Sequence, residues 1–271
     1  MTTTNIHQHP LESLLRTEYL PHIWCPGCGA GVVLGTLLRS LVKSGLDLKK
    51  TVFISGIGCT GRAAGYVKLD SFHVTHGRAL PFATGMKLSN PELKVVVFSG
   101  DGDLAAIGGN HFIHAARRNV DMTVVCVNNF TYGMTGGQFG PTTPEKARSS
   151  TSAKGMMEKP FNIPYLAAAS GAVYIARWTA AHVPQMEKAF GEAITKRGFS
   201  IVEVISPCPT YYGRLNSQAT AVDMMRYYRK NSTVENGADV SKVDIELNGK
   251  IIIGKFVDIE RHFIPDTARE K

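Results

Sequence analysis

The sequence predicts an α/β fold, a mostly parallel sheet with helices on both faces, plus a small C-terminal appendage. Three observations predict it. Between residues 30 and 205, short runs rich in β-branched residues alternate with longer stretches that are apolar at helical spacing. The short runs are continuously apolar, as strands covered on both faces are. After Gly213 the pattern changes to one helical stretch and two strand-like runs around Asn248-Gly249, the strongest short hairpin signal in the chain.

In chain order, residues 1–20 read as an arm with one short helical piece near Leu11–Glu18. The segment AGVVLGTLLRSLVK predicts a helix from about Ala30 to Lys43. Thr51–Ser55 reads as a strand, followed by a polar segment carrying His73, His76 and Arg78 and a helix over about Gly77–Leu88. Lys94–Ser99 and Met122–Val127 read as buried strands, and LAAIGGNHFIHAARRN between them as a crossover helix. Phe130 to Pro160 is a long Gly-, Thr- and Ser-rich loop, a length that compact domains reserve for functional or mobile segments. Ile163–Ser170 and Val183–Lys196 read as helices, Ala172–Trp178 and Phe199–Ile205 as strands. A helix over Ala219–Asn231 and a hairpin of VDIEL with KIIIGKF close the chain. This organisation predicts an arm at 1–20, an α/β domain at 21–213 and a helix-and-hairpin extension at 214–271.

The chain has 271 residues, enough for a full core, with 44% hydrophobic and 19% charged residues, the balance of a globular protein. No apolar run reaches membrane-spanning length, and the start lacks the pattern of an export signal, so a cytoplasmic protein without membrane contact is expected. The net charge of +8 comes from scattered residues with no arginine-rich tract or nucleic-acid module. Nucleic acid is therefore not expected as a partner. Diphosphates, carboxylates or an acidic protein would all suit such a charge.

The first strand of the 94–127 unit ends in Gly100-Asp101-Gly102-Asp103 and the second in Asn128-Asn129. Glycines let the backbone approach a ligand closely, free N–H groups at the following helix start favour anions, and Asp101 offers oxygen to a hard cation. If the strands are parallel neighbours, Asn129 lies on the same sheet edge. Asp101, the Asn129 amide oxygen and the Thr131 carbonyl would then complete an octahedral Mg²⁺ site with phosphate oxygens. The plainer reading is an α/β loop with a helix-capping aspartate. The pair of motifs at this spacing closely resembles the diphosphate-binding motif of thiamine diphosphate enzymes.

Five cysteines are present. Cys126 sits within a buried strand and reads as a core residue. Cys25, Cys28, Cys59 and Cys208 lie in the Gly- and Pro-rich loops CPGC, GIGC and SPCP, where thiolates can converge. In a reducing compartment they argue for metal over disulfides. Three readings stand: a redox dithiol at Cys25/Cys28, a Cys₄ zinc site, or a 4Fe–4S cluster. The dithiol leaves Cys59 and Cys208 without a role. A thiamine enzyme beside a thiolate site needs an electron acceptor, which zinc cannot be, and this favours the cluster.

With GDG…NN, CPGC, GIGC, THGRA and SPCP in this order, the sequence strongly resembles the β subunits of 2-oxoacid:ferredoxin oxidoreductases over about Tyr19 to Asn216. It is most similar to the 2-oxoglutarate type, with the pyruvate type less close. The resemblance implies a thiamine diphosphate-binding domain of the diphosphate type, acting with a separate α subunit (as a heterodimer or α2β2) that carries the cofactor-activating glutamate. It implies Mg²⁺ held by Asp101, Asn129 and Thr131, and a cofactor lined by Ile57, Gly58, Cys59, Thr60, His76, Gly102, Asp103, Gly133 and Met134. Cys25, Cys28, Cys59 and Cys208 would ligate the cluster, and Arg62 would face a substrate carboxylate. The implied reaction is oxidative decarboxylation of a 2-oxoacid, 2-oxoglutarate first, to the coenzyme A thioester, with electrons leaving through the cluster to ferredoxin and the reverse carboxylation open. Pyruvate or another 2-oxoacid is the alternative substrate, and a thiamine decarboxylase or synthase with structural zinc the alternative enzyme. His73 reads as structural or solvent-facing, His111 and His114 as packing or surface residues.

Overall fold

Residues 9–261 are described by the computed structural model; the ends of the 1–20 arm and of the 214–271 extension lie outside them. In chain order the elements are α1 (Ala30–Lys43), β1 (Thr51–Ser55), β2 (Asp70–His73), α2 (Ala79–Ser89), β3 (Lys94–Gly100), α3 (Gly109–Arg117), β4 (Met122–Asn128), the two-residue strands β5 (Thr131–Tyr132) and β6 (Gln138–Phe139), α4 (Ile163–Ala169), β7 (Tyr174–Thr179), α5 (Val183–Thr195), β8 (Phe199–Ile205), α6 (Ala221–Asn231), β9 (Ser232–Val234) and β10 (Ile251–Asp258). The arm carries two short 3₁₀ turns, Glu12–Leu14 and Thr17–Tyr19. No helix of the described residues is long and apolar enough to cross a membrane.

Eight strands form one sheet in the order β2-β1-β3-β4-β8-β7-β10-β9. From β2 to β7 all pairs are parallel, each β-α-β step returning the chain across a helix. The pleat divides the valines between two cores. Val96, Phe98, Val125 and Val127 pack with α1, α5 and α6, whereas Val95, Val97, Val124 and Cys126 pack with α2, α3 and α4. Cys126 is fully buried there, as a core residue.

Three expectations are corrected. The hairpin of VDIEL with KIIIGKF does not form. A turn does occur, with Asn248 at φ 61° and Gly249 N–H donating to the Glu246 carbonyl at 3.1 Å. But both edges of β10 are occupied, by β7 in antiparallel and β9 in parallel pairing, so Val243–Leu247 has no ladder to join. Instead it packs Val243 into the core. The crossover is not one helix: a π-helical turn over Gly102–Ala106 precedes α3. A Cβ on Gly108 would stand 2.2 Å from the Asp103 carbonyl, so the chain closes there only with glycine. The polar segment after β1 contains β2, an exposed edge strand whose polar face hides its period from sequence reading.

One charge pair lies inside the sheet. Arg177 on β7 faces Glu203 on β8 in register, and its Nε donates to Glu203 Oε2 at 2.6 Å with both side chains almost fully buried. Arg177 also donates to the Val243 carbonyl at 2.5 Å, tying the tail to the sheet. Breaking a buried pair strands the remaining charge. Arg177→Ala is therefore expected to cost about 3–5 kcal/mol of stability, read from denaturant unfolding.

Candidate active site

Parallel pairing sends the ends of β1, β3, β4 and β8 to one edge of the sheet, where α/β folds bind ligands. There the loops after β1, β3 and β4 enclose a cavity of about 160 Å³. Ile57, Gly58, Cys59, Thr60, His76, Asp101, Gly102, Asp103, Asn129, Thr131, Gly133 and Met134 all line it, so the expected cofactor and magnesium residues are brought together. Tyr132, Thr135, Gly100 and Val127 line it too and were not foreseen. Wider hollows exist between α2 and α3 and between α1 and α5, about 440 and 630 Å³, but neither gathers groups from strand ends.

Asp101 follows β3 directly and opens the π-helical turn. It is 3% exposed, and Thr142 donates its hydroxyl to Asp101 Oδ2 at 2.5 Å. Burial pushes the Asp101 carboxyl up to about 6, against the Thr142 hydroxyl and the nearby Asp101 and Gly102 N–H groups. A buried carboxyl of this kind ionises fully once a cation faces it. Phe130, buried and at φ 64°, makes the turn that sets Asn129 beside Thr131. Asn129 Oδ1 accepts from Thr131 N–H at 3.3 Å, and the Thr131 carbonyl from Gly133 N–H at 3.1 Å. Each oxygen keeps a second lone pair, so the donor set suits a hard cation.

Asp103 does different work from Asp101. Its Oδ1 accepts from Gly77 N–H at 2.7 Å and Ile57 N–H at 3.3 Å, and Oδ2 accepts from the Ser99 hydroxyl at 2.5 Å. His76 Nδ1 lies 2.6 Å from Oδ1. With three donors already on the carboxylate, Nδ1 is assigned the proton, and Nε2 is the free ring nitrogen of a residue on the cavity wall. A Cβ on Gly56 would stand 1.9 Å from Asp103 Oδ2, so glycine is required there. Asp103 lines the cavity, but its oxygens are taken up by the walls.

The four loop cysteines are all free thiols. Cys28 N–H donates to the Cys25 carbonyl at 3.0 Å, forming the CPGC turn, with Gly27 at φ 79°. Gly29 N–H donates to the Pro207 carbonyl at 3.1 Å, joining that turn to the SPCP loop, and Trp24 Nε1 donates to the Cys59 carbonyl at 2.7 Å, joining it to GIGC. A Cβ on Gly133 would lie 3.3 Å from Cys59 Sγ and 3.8 Å from Cys208 Sγ, so this glycine leaves the thiols room. Burial raises Cys28 to about 11 and Cys59 to about 12 and raises Cys208; the neighbouring thiols add to each rise. The four therefore sit within electrostatic reach of one another. Yet among the described residues no three Cys, His, Asp or Glu side chains close on the position of a single ion.

Arg62 is not brought into the cavity. It is exposed on the 3₁₀ turn Thr60–Gly65, two residues beyond the wall residue Thr60. His73 ends the edge strand β2 and is exposed. His111 and His114 lie on α3 and line the hollow against α2, away from the strand ends.

A buried aspartate, glycines and amide and carbonyl oxygens thus meet at the strand ends, the place where α/β enzymes bind their ligands. In agreement, residues 56–204 match the family described as thiamine pyrophosphate enzyme, C-terminal TPP binding domain. The 2-oxoglutarate synthase subunit KorB of Methanothermobacter marburgensis is 50% identical over 258 residues, covering 95% of this chain and 90% of that one. Subunit β of 2-oxoacid:ferredoxin oxidoreductase 2 from Aeropyrum pernix is 43% identical over 188 residues, 69% of this chain and 61% of that one. The solved 2-oxoglutarate:ferredoxin oxidoreductase from Magnetococcus marinus, with 2-oxoglutarate, coenzyme A and succinyl-CoA bound, superposes with a TM-score of 0.85 at 30% identity, over 98% of this chain and 90% of that one. The chain belongs to the β subunits of the 2-oxoacid:ferredoxin oxidoreductases.

Asp103→Ala is expected to cost at least about 3 kcal/mol, because the Ile57 and Gly77 N–H groups and the Ser99 hydroxyl lose a charged acceptor. Asp103→Asn keeps an oxygen for the N–H donors and turns its amide to Ser99, so its unfolding midpoint is expected to fall much less.

Proposed function

We propose that this chain supplies the diphosphate half of a thiamine diphosphate site, carries a 4Fe–4S cluster, and works with an α subunit to convert 2-oxoglutarate and coenzyme A into succinyl-CoA and CO₂, passing electrons to ferredoxin. The names of the archaeal relatives and the ligands in the Magnetococcus marinus structure support the substrate. The observation that carries the reading is the shared loop Gly56–Thr60: Cys59 belongs both to the cavity wall and to the set of four thiols. In this reading one short loop serves both the cofactor pocket and the electron-accepting site.

In this reading Asp101, Asn129 and the Thr131 carbonyl hold Mg²⁺, and the N–H-rich turn around Gly102 receives the diphosphate. When bound, thiamine diphosphate supplies the electron sink for loss of CO₂ and the cluster supplies one-electron acceptance. Asp103 keeps His76 turned so that Nε2 can hold or release a proton at the cavity. Ile57, Gly58, Thr60, Gly133 and Met134 line the cofactor. Cys25, Cys28, Cys59 and Cys208 cage the cluster. Arg62, exposed and without a carboxylate partner among the described residues, is the group proposed for a substrate carboxylate once the α subunit completes the pocket. A heterodimer or α2β2 assembly in the cytoplasm and a low-potential ferredoxin complete the proposal.

Purified anaerobically with its α subunit, the chain is expected to be brown, to bleach on reduction and to carry about four irons. Zinc without iron would discard the electron-transfer reading. With coenzyme A and a viologen dye, 2-oxoglutarate is expected to be turned over well ahead of pyruvate; the reverse order would reassign the substrate. A Cβ at Gly29 would meet Ser206 Oγ at 2.3 Å and Pro207 Cδ at 2.5 Å. Gly29→Ala should therefore part the CPGC and SPCP loops and lower the iron content while thiamine diphosphate binding survives, as metal analysis and calorimetric titration would show.

A further inference from the structure

The long loop after β4 sends two adjacent buried threonines back to the sheet edge. Thr143 is 1% exposed; its hydroxyl donates to the Phe130 carbonyl at 2.6 Å and accepts from Gly140 N–H at 2.8 Å, fastening the loop to the turn that carries Asn129 and Thr131. Thr142 is 2% exposed and reaches two different strand ends. Its hydroxyl lies 2.5 Å from Asp101 Oδ2 after β3 and 2.9 Å from Asn128 Oδ1 on β4.

The Asn128 side chain is itself fixed. Its Nδ2 donates to Glu203 Oε1 at 2.8 Å, and Glu203 is held through its other oxygen by Arg177. With the amide nitrogen committed to the glutamate, the Asn128 oxygen must face Thr142 and the Phe130 N–H, which donates to it at 3.1 Å. A chain of buried polar groups therefore runs from the sheet interior to one oxygen of Asp101. It ends in a hydroxyl with a single proton and two acceptors, and the shorter contact is to the carboxylate.

From this geometry we infer that Thr142 is a positioning residue for the cation site. It occupies Asp101 Oδ2, presents the remaining carboxylate valence to the cavity, and fixes the Asp101 strand end against the strand end that carries Asn129 and Thr131. The inference rests on reading Asp101 as a cation ligand. Its consequence is a preference among cations. Mg²⁺ demands near-ideal octahedral geometry at about 2.0–2.1 Å, whereas Ca²⁺ accepts longer and irregular contacts, so loosening Asp101 penalises magnesium more than calcium.

The test titrates thiamine diphosphate into the purified complex with its α subunit, in Mg²⁺ or in Ca²⁺, by calorimetry. Thr142→Val keeps the shape of the side chain and removes the hydroxyl. It is expected to weaken Mg²⁺-supported binding about 10- to 100-fold, the usual effect of losing a group that orients a metal ligand. Ca²⁺-supported binding should fall much less, and Thr142→Ser should restore the wild-type values. Unchanged Mg²⁺-supported binding, or an equal loss with both cations, would overturn the inference. If the valine variant does not fold, Thr142→Ala is compared with Thr142→Ser against the same criteria. Asp101→Asn separates the two levels of the argument. If it binds thiamine diphosphate with Mg²⁺ as the wild type does, the cation-site reading itself fails. If it loses binding while Thr142→Val does not, only the role of Thr142 fails.

Discussion

The arrangement of the site depends on one buried carboxylate whose oxygens are taken up by the protein itself. Asp103 accepts hydrogen bonds from backbone or side-chain groups on the loop after β1, on the segment leading into α2 and at the end of β3. Three separate pieces of chain are thereby drawn to a common centre. A charge buried this deeply is tolerated because four donors replace the water it lost. The arrangement leaves Asp101, two residues earlier, free to face the cavity. The π-helical turn is what allows both aspartates to sit in one short stretch and serve opposite directions.

Much of this was legible in the chain. The valine runs, α1, β1 and β8 fall where periodicity places them, and GDG with NN brackets the cavity because parallel neighbours bring successive strand ends together. The division of roles between Asp101 and Asp103 was not legible: the two residues look alike, and only the turn between them decides which oxygens face inward. Thr142 was equally hidden, since a Thr-rich loop has no period and its contacts, Asp101 and Asn128, are 41 and 14 positions away in sequence. Arg62 illustrates the opposite limit. Its residue type fits a carboxylate, but the 3₁₀ turn Thr60–Gly65 leaves it exposed outside the cavity.

The tail shows how a correct local signal can lead to an incorrect pairing. Asn248-Gly249 does turn the chain, as its composition requires. The identity of the partner strand is a global matter, settled by the free edge of β7 and by Arg177, which takes up the Val243 carbonyl.

The same tail has a bearing on solubility. Without β10, the fully buried β7 would stand at the rim with a row of unpaired amides, an invitation to self-association between copies. The sheet ends instead in the three-residue β9, too short to template another chain. The segment least connected with chemistry thus guards the remainder against fibrous or amorphous clumping.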